Sequence, residues 1–394
     1  MLRVLTGGES HGPSLTAIIE GLPSGLIVDF YEVDRQLKRR QGGYGRGDRQ
    51  KIETDTVEII SGVRFGRTLG SPVTLLVRNR DFENWLDRMS VRPVNTETPP
   101  IVEARPGHAD FAGMMKYATD DLRNILERSS ARNTASIVAV GTICRLLLKE
   151  IGVHVMSHVS MLGGIHVQLP RQVNYFDVEQ IAENSPVRVA NPEAEAEIIA
   201  AIDKAGEAGD TLGGIVEIVA VGCPPGLGSH VHWDRKLDSR LAGAVMGIQA
   251  IKGVEIGLGF GVADRLGSLV HDELFHGASD GFTRSTNHAG GLEGGMTNGE
   301  PVVVRAAMKP LSTLKSPLRS VNLADRTAVT AHFERSDVCA VPAAGVICEA
   351  VVSMVLAEAV VEKFGGDSME ELLRNYRSYV ESIEARGVQL SGSK

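Results

Sequence analysis

Two histidines stand in turn-like, polar surroundings that suit proton transfer. His11 lies in Gly8-Glu9-Ser10-His11-Gly12, and His108 lies in Arg105-Pro106-Gly107-His108-Ala109-Asp110. Imidazole is the side chain best able to give and take a proton near neutral pH. The neighbouring Arg105 points to an anionic ligand, while a loop histidine bonded for structural reasons is the competing reading of each ring. Four clusters supply further charge and hydroxyls. The first, residues 38–47, combines Arg40 and Arg46 with Gly42, Gly43, Gly45 and Gly47, so it is either a segment that closes over an anion or a solvated basic turn. Arg128-Ser129-Ser130-Ala131-Arg132 sits at an expected helix start, where amides, hydroxyls and guanidiniums make an anion cradle. Lys309-Pro310-Leu311-Ser312-Thr313 follows a strand and suits a phosphate. Arg335-Ser336-Asp337 offers a carboxylate that the adjacent arginine would keep ionised. Two histidines, one aspartate and several cradles describe acid–base chemistry on a multiply anionic substrate.

Other chemistries find less support. No G-x-G-x-x-G opens a helix after a strand, no G-x-x-x-x-G-K-[ST] is present, and Gly257, Gly259 and Gly261 have the wrong spacing. His154, His158 and His166 fall in an extended, alternating stretch, and no carboxylate or cysteine completes a metal-ligand set with them. Ser10 and His11 are adjacent and rarely would point at each other, which discounts a nucleophilic pair there. A net charge of −8 over 394 residues argues against nucleic acid as the main partner. Cys144, Cys223, Cys339 and Cys348 are scattered without C-x-x-C spacing, as expected of reduced structural thiols in a cytoplasmic protein. The N-terminus lacks the apolar core of a secretory signal. The apolar stretch from Gly345 to Val361 contains Glu349 and Glu358 and reads as a buried helix too short to span a bilayer, so no membrane is expected.

The elements that must hold these groups repeat. Pro23-Ser24-Gly25-Leu26, followed by Asp34-Arg35-Gln36-Leu37, resembles Pro224-Pro225-Gly226-Leu227 followed by Asp234-Arg235-Lys236-Leu237. Gly66, Thr68, Gly70, Pro72 and Val73 match Gly295, Thr297, Gly299, Pro301 and Val302 at identical spacing, and Glu127-Arg128-Ser129 returns as Glu334-Arg335-Ser336. The shared order favours a duplicated unit. Strands are expected over Ser14 to Glu20, Gly214 to Val221, Val73 to Val77 and Val302 to Val304. Helices are expected from Asp34 to Arg40 and from Asp234 to Met246, each with its Asp as N-cap, and after Ser130 and Pro342, ending near Gly152 and Gly365. Residues 171–208 read as a peripheral helical insertion. The fold class is α/β (α+β) in one 394-residue domain, with halves of about 1–152 and 209–366 and a ligand site between them.

At these residues the sequence resembles the chorismate synthase family. The likeness rests on Gly8-Glu9-Ser10-His11-Gly12 through Ile18-Ile19-Glu20-Gly21-Leu22-Pro23, on Arg128 to Arg132, and on Arg335-Ser336-Asp337 leading to Glu349. Arg105 to Asp110 and Gln249-Ala250-Ile251-Lys252-Gly253 add to it, and it runs over almost the whole chain. The resemblance implies a β-α-β sandwich, a homotetramer, and conversion of 5-enolpyruvylshikimate 3-phosphate to chorismate and phosphate by anti-1,4-elimination. It also implies reduced FMN as cofactor with no net redox change. Carried over residue by residue, His11 would protonate or polarise the reduced flavin, His108 would assist the departing phosphate, and Asp337 would help remove a proton near flavin N5. Arg128, Ser129, Ser130, Gln249, Ala250, Gly294, Lys309, Pro310, Leu311, Ser312, Thr313 and Arg335 would bind FMN, with Arg40 and Arg46 at the substrate and NADP rim. The chain shows no obvious reductase domain, so NADPH is expected only as an indirect reductant through an external flavin reductase. Asn133 departs from the family pattern, where Glu is expected, and Ser136 nearby is also atypical. Two rivals are a phosphatase-like hydrolase, which lacks a metal-ligand set, and a flavin-binding oligomer without turnover.

Overall fold

The computed structural model describes residues 2–47, 54–169, 173–277, 281–334 and 336–388. Strand Ser14–Glu20 alternates, with Leu15, Ala17 and Ile19 fully buried, and strand Val73–Arg78 buries Val73, Leu75 and Val77 in the same way. They pair antiparallel at the centre of a four-stranded sheet ordered Arg3–Gly7, Ser14–Glu20, Val73–Arg78, Val57–Ser61. A second antiparallel sheet runs Ile251–Ile256, Val302–Met308, Gly214–Val221, His154–Leu162, Ile165–His166. Between the sheets lie the helices Phe30–Gln41, Thr134–Lys149, Leu237–Met246 and Val341–Phe364, so the layers read sheet, helices, sheet.

Helix Val341–Phe364 is buried on every side over most of its length because it is the central rod of this layer, with the charged Glu349 paired inside it. It crosses helix Thr134–Lys149 at Gly141, where an added Cβ would sit 2.5 Å from the Ala350 Cβ, so only glycine permits that approach. At 24 residues it starts one turn before the apolar stretch and ends at Gly365, as its sequence suggested. By length and composition it and Arg123–Lys149 could each cross a membrane, yet 83% of each apolar window is buried inside the fold.

The repeated motifs do the same mechanical job in both halves. Thr68 Oγ1 donates to the Pro23 carbonyl at 2.6 Å and accepts from Leu26 N–H at 2.9 Å. Thr297 Oγ1 donates to the Pro224 carbonyl at 2.6 Å and accepts from Leu227 N–H at 2.8 Å. Gly62 and Gly291, at φ +80° and +75°, each bring the chain so close that a Cβ would meet a proline carbonyl oxygen at 2.5 Å, that of Pro72 and that of Pro301. The strand orders correspond as well: Arg3–Gly7, Ser14–Glu20, Val73–Arg78, Val57–Ser61 answers to His154–Leu162, Gly214–Val221, Val302–Met308, Ile251–Ile256.

Three expectations need correction. Helix Phe30–Gln41 starts earlier than Asp34, because Asp29 caps it through Glu32 N–H while the Asp34 carboxylate accepts from Val57 N–H at 2.9 Å. Its echo, Leu237–Met246, begins after Lys236 without a side-chain cap, since Asp234 sits in a short 3₁₀ turn and pairs with His232 at 2.7 Å. The segment holding helices Tyr175–Asn184 and Pro192–Ala208 is not peripheral throughout. Its Arg188 reaches the buried Glu349 at 3.2 Å and the Ser157 carbonyl at 2.8 Å, and Glu183 joins Arg39. The long helix after Ser130 does end as expected: Gly152, at φ +79°, donates to Lys149, and Val153 donates back to Leu148.

Candidate active site

The 8–12 turn links two antiparallel strands and folds back on Glu127. Ser10 N–H donates to the Glu127 carbonyl at 3.0 Å. The Glu127 carboxylate meets His11 twice, accepting from its backbone N–H at 2.7 Å and facing its ring Nδ1 at 2.8 Å. Trp85 stacks on the His11 ring with centroids 4.0 Å apart, and Arg123 lies 5.0 Å from the Trp85 centroid. Arg123 also reaches Glu127 at 3.2 Å and Glu334 at 3.0 Å, so the two echoed glutamates converge on one guanidinium. Burial alone would raise the Glu127 carboxyl, but His11 and Arg123 outweigh it and hold it below the usual carboxylate range. Glu334 responds likewise: burial is overcome by His332, Arg123 and Arg105, which pull it down to about 2. Gly8-Glu9-Ser10-His11-Gly12 has the G-x-S-x-G spacing of a nucleophile elbow. Here the turn joins strand to strand instead of strand to helix, and the Ser10 hydroxyl donates to Ser130 at 3.0 Å.

A second histidine–carboxylate pair joins His108, at the end of a loop, to Asp110, which opens helix Asp110–Tyr117. His108 Nδ1 bonds Asp110 Oδ1. Asp110 is 1% exposed and also accepts from Arg105 backbone N–H at 2.9 Å and Nε at 3.0 Å. Arg105 continues to the Thr313 hydroxyl at 3.0 Å, which ties this loop to the second half. Burial would raise the Asp110 carboxyl, but the hydrogen bonds of His108 and Arg105 together hold it far below its usual value.

Arginines crowd the floor. Asp55, 4% exposed, pairs with Arg40 at 2.7 Å and with Arg132 at 2.6 and 2.7 Å. Burial, with Arg132 and Arg46 nearby, outweighs Asp55 and pushes the Arg40 guanidinium down to about 10. Arg46 pairs with Asp337 at 3.0 Å, and the other Asp337 oxygen accepts from Gly47 N–H at 2.7 Å. The glycine-rich segment is docked: Val338 N–H donates to Gly45 at 2.8 Å, and the Tyr44 hydroxyl donates to Asp203 at 2.8 Å.

The two histidines, Glu127 and the floor arginines line one cavity of about 770 Å³, within the ~300–1,000 Å³ typical of ligand sites. It brings together His11, His108 and Asp337 with Arg40, Arg46, Ser129, Ser130, Gln249, Ala250 and Lys309 through Thr313. Arg105, Arg132 and Lys252 add cations, and Ile248, Ala343, Ala344 and Ile347 form an apolar wall. Ala250 holds a left-handed φ of +67°, and its carbonyl accepts from Lys309 N–H at 3.0 Å. Two of the expected residues are not among those lining this cavity. Arg128 turns away to clip the N-terminal strand, bonding the Thr6 hydroxyl at 2.6 Å and the Gly8 carbonyl at 3.2 Å. Gly294 lies in the hairpin of Leu292–Glu293 and Met296–Thr297, near His230. Arg335, the echo of Arg128, lies outside the described residues.

Sequence reasoning missed Asp55, Trp85 and Arg123 as site residues. Asp110 had a local signal two residues after His108, and Glu127 had its echo at Glu334; Asp55 and Trp85 had none. Asn133 has a structural task, since its amide donates to the Glu127, Arg128 and Ser130 carbonyls at 3.2, 2.9 and 3.2 Å at the end of helix Arg123–Ser129. Its oxygen accepts from Arg128 at 2.9 Å, whereas a glutamate there could accept but not donate.

The family model described as chorismate synthase matches residues 2–361. The chain belongs to the chorismate synthase family. It is 56% identical over 384 residues to the chorismate synthase of Syntrophotalea carbinolica, covering 97% of this chain and 99% of that one. Against that of Enterococcus faecalis it is 52% identical over 388 residues, covering 97% and 100%. A solved structure titled "Crystal Structure of Chorismate Synthase" superposes with a TM-score of 0.79 at 43% identity, covering 98% of each chain. The family's activity comes with membership at this coverage: 5-enolpyruvylshikimate 3-phosphate loses phosphate to give chorismate, a carbon–oxygen lyase reaction that ends the shikimate pathway.

Proposed function

We propose that this cavity carries out the elimination as an anti-1,4 process with His11, His108 and Asp337 as its proton-handling groups. The observation behind this reading is their convergence, from both halves of the chain, on one cavity floored by Arg40, Arg46 and Arg132. A phosphate ester bearing two carboxylates needs several cations. Burial first, and then the Arg132 and Arg46 charges, push Arg40 down, and an anion placed among Arg40, Arg46 and Arg132 would offset them. His108, backed by Asp110, would hold a proton at Nε2 for the departing phosphate. Asp337, held by Arg46 and Gly47, would keep an acceptor oxygen at the cavity edge for the substrate proton.

The donor set fits FMN. Ser129, Ser130, Ser312, Thr313 and Lys309 would hold its phosphate and polar ring edge, and Ile248, Ala250 and Ile347 would face its flat ring. Reduced FMN, when bound, supplies transient electron donation with no net redox change. Arg128 and Gly294 stand outside the cavity in this chain and would join the cofactor only through rearrangement or a neighbouring copy.

The further readings are a cytoplasmic homotetramer, reduction of the flavin by an external reductase, and NADPH acting only indirectly. The whole chain would be one domain. The matching strand orders support a repeat whose second copy opens at His154, with residues 171–208 inserted behind its first strand, instead of at 209.

An anaerobic assay with 5-enolpyruvylshikimate 3-phosphate tests the reading, comparing reduced FMN, oxidised FMN, and oxidised FMN with NADPH. Equal chorismate and phosphate with reduced FMN alone is expected. Activity with NADPH would mean that the chain reduces its own flavin. Phosphate without chorismate would mark a hydrolase, and no product in any condition would leave only a binding module.

A further inference from the structure

We propose that Glu127 is the positioning residue for His11, fixing its neutral imidazole as the Nδ1–H tautomer with Nε2 presented to the cavity. The inference rests on the reading of His11 as a proton-handling group. Two donors of His11, the backbone N–H and the ring, face the two oxygens of one carboxylate at 2.7 and 2.8 Å. An ionised carboxylate only accepts, so the hydrogen of the ring bond belongs to Nδ1. Burial, with the side chain 4% exposed, would raise the Glu127 carboxyl. The His11 N–H, the His11 ring and Arg123 all bond its oxygens and lower it, which favours the ionised form. Trp85 stacked on the ring opposes a flip that would set carbon against Glu127. Arg123, bonded to both Glu127 and Glu334, keeps the carboxylate from following the ring.

Glutamine cannot replace this clamp. It has one acceptor oxygen, and its NH₂ would confront either the His11 backbone N–H or the Nδ1–H. Carboxylate-to-amide exchange behind a catalytic histidine can leave the fold intact and still select the wrong tautomer.

The test is a mutant cycle joined to a tautomer measurement. In protein labelled with ¹⁵N-histidine, the His11 resonances, assigned by their loss in His11→Ala, should show a protonated Nδ1 and a bare Nε2 in the neutral ring. The opposite tautomer, or an even mixture, overturns the proposal without any reference to turnover. Glu127→Gln should lower kcat at least about ten-fold with KM little changed. In the His11→Ala background the same substitution should cost less than about two-fold, because its route is already gone. An equal loss in both backgrounds overturns the proposal, since Glu127 would then act other than through His11. If Glu127→Gln does not fold, Glu127→Asp, with two acceptors on a shorter arm, carries the same cycle. Full turnover in His11→Ala alone would defeat the reading of His11, and the tautomer would still decide what Glu127 does.

Discussion

The two halves of the chain agree where they hold themselves together and differ where they meet the cavity. The Thr68 clasp and the Thr297 clasp match bond for bond, with hydroxyl-to-carbonyl distances of 2.6 Å in each. The echoed glutamates have parted company: Glu127 grips His11 at 2.8 Å, whereas Glu334 lies 3.6 Å from His332 and shares Arg123. The two halves therefore share a sheet-and-turn frame, and the chemistry lies in what each half places at its inner end. The frame tolerates little change because backbone carbonyls and φ > 0 positions fix it, while the inner ends are side chains that can be exchanged one at a time.

The largest effect should fall on the inner ends. His11→Ala and His108→Ala should each lower kcat by about 100-fold or more, as expected when a general acid or base is lost, with unfolding midpoints close to the parent. Near-normal turnover in either variant would remove that ring from the mechanism. A marked fall in midpoint would make it part of the frame and erase the contrast between the two ends.

The frame should break symmetrically. Gly62→Ala and Gly291→Ala each force a Cβ to 2.5 Å from a carbonyl oxygen at positive φ. Each should cost about 2 kcal/mol or more of stability, measured by urea unfolding. Thr68→Val and Thr297→Val come next. Each strands a buried carbonyl and a buried N–H, so about 1–3 kcal/mol is expected. Within each pair the two costs should agree to about 0.5 kcal/mol, and a cost confined to one half would mean that only that half still depends on its clasp.

This contrast also explains what could be read from the sequence. The strands Ser14–Glu20 and Gly214–Val221 were legible to the residue because alternation and a proline turn bound them. Helix starts were not. Asp29 and Asp34 are equally good caps by type, and only the Val57 amide, 23 residues away, decides which one is free to cap. At the site, cations clustered along the chain could be seen, but their partners could not. Nothing local ties Asp55 to Arg132, 77 residues on, or sets Trp85 against His11. Arg128 shows the reverse failure: its neighbours marked an anion cradle, yet Thr6 and Gly8 from a distant strand claim its guanidinium.

Acid should weaken the inner ends through carboxylates. Glu127, Asp110 and Glu334 all have folded-state values below those of the unfolded chain. The stability they contribute is complete above the unfolded values near 4 and is lost as pH falls through the folded ones. For Glu334 that window runs from 4.5 down to about 2. Unfolding midpoints should therefore drop below about pH 4.5, and Glu334→Gln should make the fall shallower. An unchanged slope in that variant would mean that Arg123 and His332 do not favour its charged form.

The smallest effect comes from the outer edges, where the halves again invite comparison. Strand Val57–Ser61 is joined to Val73–Arg78 by the exposed Glu58–Arg78 pair at 3.0 Å, and strand Ile251–Ile256 to Val302–Met308 by Glu255–Arg305 at 2.8 Å. The first pair is open to water on both sides, so ordering two long side chains cancels most of the attraction, and Glu58→Gln should leave the unfolding midpoint where it was. The second is half-buried and tied to backbone, since Glu255 accepts from Phe260 N–H at 3.0 Å and Arg305 donates to the Gly257 and Leu258 carbonyls at 3.1 Å each. Glu255→Gln should accordingly produce a small but measurable fall, and 1 M salt should shrink it less than it shrinks any effect at Glu58. Equal insensitivity at both sites would mean that the backbone ties hold the Phe260 turn without the charge. The repeat would then be as indifferent at its outer edge as it is exacting at its clasps.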